Sequence, residues 1–193
     1  MPPTATATGF RLGSTSMPTN YVLTLTGPDR IGIVEEVTGL LLARGGNVEA
    51  SRMARLGGEF AVLMLVSMPA GQPSDPDERL GALTARGYKV TTAPARVRAE
   101  SRPGWLPRQI EVRGADHEGI IHEVARYLSG RGISIESVDS ECAPAPTSGV
   151  PLFAMTARVV VPPGPSAAGW EAGLEEIGGR LNLDITVSAS PDR

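Results

Sequence analysis

"GPDRIGIVEEVTGLLLARGGNVEASR" at Gly27 to Arg52 and "GADHEGIIHEVARYLSGRGISIESVD" at Gly114 to Asp139 are two versions of one stretch, set 87 residues apart. Both open on Gly-x-Asp-x-x-Gly and continue into an apolar-periodic segment. The pairs Gly27/Gly114, Asp29/Asp116, Gly32/Gly119, Ile33/Ile120, Glu36/Glu123, Val37/Val124, Leu41/Leu128, Arg44/Arg131, Gly45/Gly132 and Glu49/Glu136 keep the same order and spacing. Shared composition does not produce such a match; internal duplication does.

Working outward from the first copy, Tyr21 to Thr26 alternates large apolar residues with threonine as a half-buried strand does, and Gly27-Pro28 ends it. Asp29 is placed to cap a helix whose face is Ile33, Val34, Val37, Leu40 and Leu41, with Gly45 as its left-handed stop. Val48 to Leu56 and Phe60 to Met68 read as strands joined by a Gly57-Gly58 turn. A helix over Pro76 to Ala85 and a strand over Tyr88 to Val97 follow.

The second half repeats the order. Strands are expected at Gln109 to Arg113, Ser134 to Glu141, Leu152 to Val161 and Asp184 to Ser188. One helix carries Ile120, Ile121, Val124, Tyr127 and Leu128, and another Trp170, Leu174, Ile177 and Leu181. Each half is β-α-β-β-α-β. The expected class is therefore α+β, with two ferredoxin-like domains, each a four-stranded antiparallel sheet carrying two helices on one face. The expected boundaries are a flexible tail over 1–19, a first domain over 20–99, a linker over 100–105 and a second domain over 106–193. Met17 is an alternative start within that tail.

Composition narrows the function. The 193 residues are 41% hydrophobic, carry a net charge of −3 and lack a long apolar run; the sequence pI is near 5.5. A duplex-DNA reader needs a cationic face to displace counterions, and here the arginines are scattered among carboxylates, so no direct nucleic-acid binding and no membrane span are expected. A lone cysteine, Cys142, suits a reducing cytoplasm and reads as structural filler. No cofactor motif is present. "HEGIIHE" places His117 and His122 five apart, about 140° around a helix from each other, which does not make a zinc pair. Phosphate loops and nucleophile elbows are likewise missing.

The topology, together with Gly-Pro-Asp-Arg-x-Gly at the first strand-to-helix turn and Gly-Gly-Asn before the next strand, resembles the ACT domain, a small-molecule-binding regulatory module. "SRMARLGGEFAVLMLV" (Ser51 to Val66) and "PTSGVPLFAMTARVVVP" (Pro146 to Pro162) extend the resemblance to tandem-ACT proteins of the glycine cleavage system transcriptional repressor family. That resemblance implies a non-enzymatic regulator of amino-acid metabolism that binds a small amino acid, glycine or serine being the candidates, and acts through a protein partner. The alternative is an ACT-type dimerisation protein with no small ligand.

The chemistry of the first turn agrees with a carboxylate ligand. Backbone N–H groups at the start of a helix favour an anion, and Gly32 lets a ligand approach closely. Candidate site residues are Asp29, Arg30, Ile31, Gly32, Ile33 and Asn47 in the first copy, and Asp116, His117, Gly119 and Ser134 in the second. Asp29 and Asp116 have helix capping as a competing role. Arg52 and Arg55 read as a solvated strand face, with an anion clamp as the alternative, and Met53, Met64 and Met68 as core filling. Phe60 to Val66 is apolar on both faces, whereas Thr156 and Arg158 make one face of its counterpart polar. The extra apolar face predicts that Leu63 and Leu65, or Val62 and Met64 on the other register, pack on a further ACT domain, with a homodimer favoured.

Overall fold

The computed structural model describes residues 19–69, 77–96, 102–146 and 149–190. The expected tail up to residue 18, linker residues 100 and 101, Val97 and the helix start at Pro76 lie outside them. The chain divides into two compact units, residues 1–98 and 99–193. Among the described residues no helix is long and apolar enough to cross a membrane.

Alternation in Leu23-x-Leu25 and Val62-x-Met64-x-Val66 makes two strands with one apolar edge each, which pair so that those edges share a face. The first unit runs β1 (Thr19–Pro28), α1 (Ile33–Leu42), β2 (Asn47–Leu56), β3 (Glu59–Met68), α2 (Asp77–Thr84) and β4 (Lys89–Pro94). Its sheet has the order β2-β3-β1-β4, all neighbours antiparallel. Ile33, Val37 and Leu41 of α1 and Leu83 of α2 join Leu23, Leu25, Val62, Met64 and Val66 in one buried cluster, so both helices cover the same face. Val62 and Met64 thus belong to their own core. Leu63, 47% exposed, points to the opposite face with Val22, Leu65 and Ala50.

The second unit repeats this with β5 (Leu106–Ala115), α3 (Ile120–Gly130), β6 (Ser134–Pro144), β7 (Pro151–Val161), α4 (Trp170–Leu181) and β8 (Leu183–Ala189), in the order β6-β7-β5-β8. Ile120, Val124, Leu128, Trp170, Leu174 and Ile177 fill its core against Phe153, Met155, Ala157 and Val159. Its open face is polar, Glu111, Asp139, Thr156 and Arg158 standing where the first sheet has Thr24, Arg52, Leu63 and Leu65.

Strands outrun their periodic segments because ladder pairing continues to the turns. β1, expected at Tyr21 to Thr26, extends to Pro28, which pairs Glu59 beside the Gly57-Gly58 turn. Gly45 has φ 72 and closes α1, as its position predicts. Two side chains depart from expectation. Cys142 is exposed on the edge strand β6, so it does not fill a core. Met53 is 38% exposed on the edge strand β2, while Met64 and Met68 are buried.

Candidate ligand site

Each duplicated turn leaves its helix without a side-chain cap. α1 and α3 are capped by Gly32 (φ 87) and Gly119 (φ 91), with no side-chain hydrogen bond at either. The left-handed backbone explains glycine there, since a Cβ is disfavoured in that region. The expected capping role of Asp29 and Asp116 is therefore corrected. Asp29 lies three residues before its Gly cap; its backbone N–H donates to Gly58 O at 3.0 Å, and its carboxylate pairs with Arg55 at 3.7 Å. Asp116 donates its N–H to Pro151 O at 3.0 Å. Desolvation and the adjacent Asp116 carboxylate hold the Cys142 thiol above its ordinary range. Both aspartates tie the turn to the neighbouring strand.

The consequence is an open helix pole. No side chain caps the first turn of α1; the Ile33 N–H donates to Arg30 O at 3.5 Å, and Gly32 and Ile31 are exposed at this pole. Ile33 is buried and its N–H bonds Arg30 O, so Ile33 helps shape the turn without offering a ligand its side chain or a free donor.

Arg30 is committed elsewhere. Its guanidinium pairs with Glu36 and stacks 5.6 Å from the centroid of Tyr88, whose hydroxyl donates to Pro28 O at 2.6 Å. Arg86 donates to the same Glu36 at 2.8 Å. The hydrogen bond from Arg30, with the Arg86 charge beside it, holds the Glu36 carboxyl below its usual range. This pairing neutralises Glu36, while Glu35, also in the first turn, is exposed and in no ion pair among the described residues. In the second unit Glu123 accepts from Arg126 at 2.9 Å and Arg180 at 2.8 Å, and His117 Nε2 lies 3.2 Å from Leu181 O. In both units the first-helix Glu thus pairs with an Arg near the end of the second helix, and only the turn residue differs, Arg30 joining Glu36 and His117 lying against Leu181 O.

Asn47 is not beside this turn. It pairs across β3 with Ser67, which pairs with Asn20 at the start of β1, whereas the turn follows Pro28. Eight residues of strand at ~3.3 Å each separate the two ends by ~26 Å, several times the length of a free amino acid. The sequence-predicted set therefore forms two groups within a module, Asp29 to Ile33 at one end and Asn47 at the other; Asp116, His117 and Gly119 are likewise remote from Ser134, which pairs Val160.

At its end Asn47 meets two partners that sequence reasoning did not place in a site. Its Nδ2 donates to Glu49 Oε1 at 3.0 Å, and Ser67 Oγ donates to the same oxygen at 2.6 Å. The ladder shifts register between Val48 and Ala50, so Glu49 is the bulged residue. The equivalent shift falls between Ile135 and Ser137, bulging Glu136. The Glu49/Glu136 pairing in the duplication was the visible signal for this. Next to Asn47 a groove of about 470 Å³ runs along α1, bordered by Glu35, Thr38, Gly39 and Leu42.

An ACT domain model matches residues 19–86. Over 91% of this chain and 100% of the other, the structure is similar to that of an unknown protein from Galdieria sulphuraria, at 30% identity and a TM-score of 0.78. It is also similar in fold to a proposed glycine cleavage system transcriptional repressor, at 20% identity over 92% of this chain and 100% of the other, with a TM-score of 0.63. No curated protein matches the chain in sequence. With the ACT match on the first half, the same β-α-β-β-α-β sheet order in the second, and a 30% identical relative covered over its full length, the chain belongs to the ACT-domain family and carries two such domains in tandem.

Proposed function

We propose that this chain is a non-enzymatic, cytoplasmic regulatory protein whose ACT domains bind a small amino acid, with glycine and serine the candidates, and that ligand state controls a protein partner in the transcriptional regulation of amino-acid metabolism. The observation that carries the reading is the uncapped, exposed pole of α1 behind Gly32, where the neighbouring charges of Arg30 and Glu36 already satisfy one another. Such a pole favours the carboxylate that every free amino acid carries. The transcriptional setting is drawn from the resemblance to the glycine cleavage regulator, and a net charge of −3 argues for a protein partner over DNA.

The ~26 Å between the turn and Asn47 bears on how binding would regulate. One amino acid can touch both groups only if the turn comes from one copy of the first module and Asn47 from that of a second chain. Ligand and homodimer then stabilise each other, because the ligand binds only the paired state. The apolar row Val22, Leu63 and Leu65 supports such pairing.

The second reading, a dimerisation protein without a small ligand, is favoured by that same row, which needs no ligand to be covered. A thermal-shift screen of the full chain against the twenty amino acids separates the two. At a hundredfold excess over Kd, a ligand of the folded state stabilises by ~2.7 kcal/mol, several degrees of Tm. A shift with glycine or serine, lost in Asn47→Ala at unchanged basal Tm, is expected. No shift with any amino acid would leave the dimerisation reading, and tight sequence-specific DNA retention in a gel shift without a partner would overturn the partner.

A further inference from the structure

An isolated asparagine amide is ambivalent, one donor group and one acceptor, and so is compatible with either end of an amino acid. The structure tips that balance. Asn47 commits Nδ2 to Glu49 Oε1, and Ser67 commits its hydroxyl proton to the same atom. What remains at this end of the sheet is weighted towards acceptors, Asn47 Oδ1, Glu49 Oε2 and the lone pairs of Ser67, against the second N–H of Asn47 Nδ2. Among the described residues no Lys or Arg pairs with Glu49, unlike Glu36, Glu111 and Glu123, which are all in ion pairs.

We infer that Glu49, aimed by the β-bulge and held by Ser67 and Asn47, is the residue that selects the ammonium group of the ligand, leaving the α1 pole of a second chain's first module to take the carboxylate. The inference rests on the amino-acid-binding reading above and assigns the ligand's polarity within it. Three observations support it. A primary ammonium offers three donors and a positive charge, the complement of two or three acceptors around one carboxylate, while a carboxylate ligand would be repelled. Bulges re-aim side chains, and without this one Glu49 would fall into the ordinary alternation of an edge strand. The hydroxyl of Ser67 and then the Asn47 amide hold the Glu49 carboxyl below its usual range, so at neutral pH it is anionic while an amino group is protonated.

The second module is the internal control. Its bulged Glu136 stands where Glu49 does, but the positions of Asn47 and Ser67 are Ser134 and Val160. Val160 has no hydroxyl to give, so Glu136 lacks the donor that orients Glu49. One ammonium-selective site per chain follows, in the first module.

The test is calorimetric titration of the full chain with glycine, serine, glycolate and N-acetylglycine, on wild type, Glu49→Gln, Ser67→Val and Glu136→Gln, with Tm measured for each. Wild type is expected to bind glycine or serine and neither amine-free analogue. Glu49→Gln should bind ~10–100-fold more weakly, the worth of a charged hydrogen bond, at unchanged Tm. Ser67→Val should move the same way by less, and Glu136→Gln should not move. If wild type binds no amino acid, the amino-acid reading fails. If wild type binds but Glu49→Gln matches it, or glycolate binds as well as glycine, the amino-acid or carboxylate site stands and the role of Glu49 is overturned. Should Glu49→Gln misfold, Ser67→Val decides by the same criteria.

Discussion

Gly27 and Gly32 open and close the same motif, yet the structure requires glycine at them for different reasons, and substitution separates the two. A Cβ on Gly27 would press into the Tyr88 ring at Cδ1 and lie 3.0 Å from both Tyr88 Cα and Cε1. The backbone there has little room to give, since Thr26 pairs Lys89 in the β1–β4 ladder. Tyr88 is 2% exposed and its hydroxyl is bonded to Pro28 O, so the ring cannot swing into solvent without breaking that bond. Overpacking costs ~1–3 kcal/mol, and the displaced phenol loses a hydrogen bond worth ~0.5–1.5 kcal/mol. Alanine returns ~0.4–1 kcal/mol by restricting the unfolded chain. The net cost of Gly27→Ala is about 2 kcal/mol, or ~10 °C of Tm in a domain of this size. At Gly32 nothing lies within 4 Å of the place a methyl group would take, but φ is +87. Alanine there costs ~1–2 kcal/mol for the left-handed backbone and recovers the same ~0.4–1, a net below ~1.5 kcal/mol. Gly32→Asn, which tolerates that region, should cost less again, while no side chain rescues Gly27. Far-UV circular dichroism melts of the full chain read the effect. Tryptophan fluorescence isolates the second unit, where Trp105 and Trp170 both lie. A Gly27→Ala protein melting within a degree of wild type, or a larger loss at Gly32, would refute the steric argument.

Leu63→Asp should convert a wild-type dimer to monomer by size-exclusion chromatography with light scattering, at little cost in Tm because Leu63 is 47% exposed; a wild type that is already monomeric at micromolar concentration would sink the dimer. The Glu36 carboxyl is held below its ordinary value of 4.5 by Arg30 and then Arg86. Its stabilising contribution is therefore present above that value and lost as pH falls through the lower folded pKa. Glu36→Gln should flatten the acid limb of stability against pH, measured by urea titration, and an unchanged limb would remove Glu36 from the account.

The apolar spacing in Ile33, Val37 and Leu41 and in Trp170, Leu174 and Ile177 was enough to place α1 and α4, because a buried helix stripe is a local pattern written directly in the chain. Alternation around Val62 and Met64 marked β3 but left its register open, since FAVLMLV is apolar on both faces and either edge could face the helices. Pairing with β1 closed that choice. The turn was legible as a helix pole but misread at Asp29, whose preference for capping was outcompeted by a glycine that has no side chain and a left-handed φ.

What the sequence by itself determined is the duplication, the element order and the conclusion that each half buries one face of a four-stranded sheet. These follow from periodicity and punctuation, which act between residues a few positions apart. What only the tertiary structure decided is which residues meet. Asn47 follows Asp29 by eighteen positions, yet α1 carries the chain back along the sheet and sets Asn47 ~26 Å from the end of β1 at Pro28. Ser67, eighteen residues beyond Glu49, arrives within 2.6 Å of it because β2 and β3 fold back on one another. Antiparallel pairing brings together residues that are distant along the chain and parts those that share a motif, and no local pattern encodes that distance.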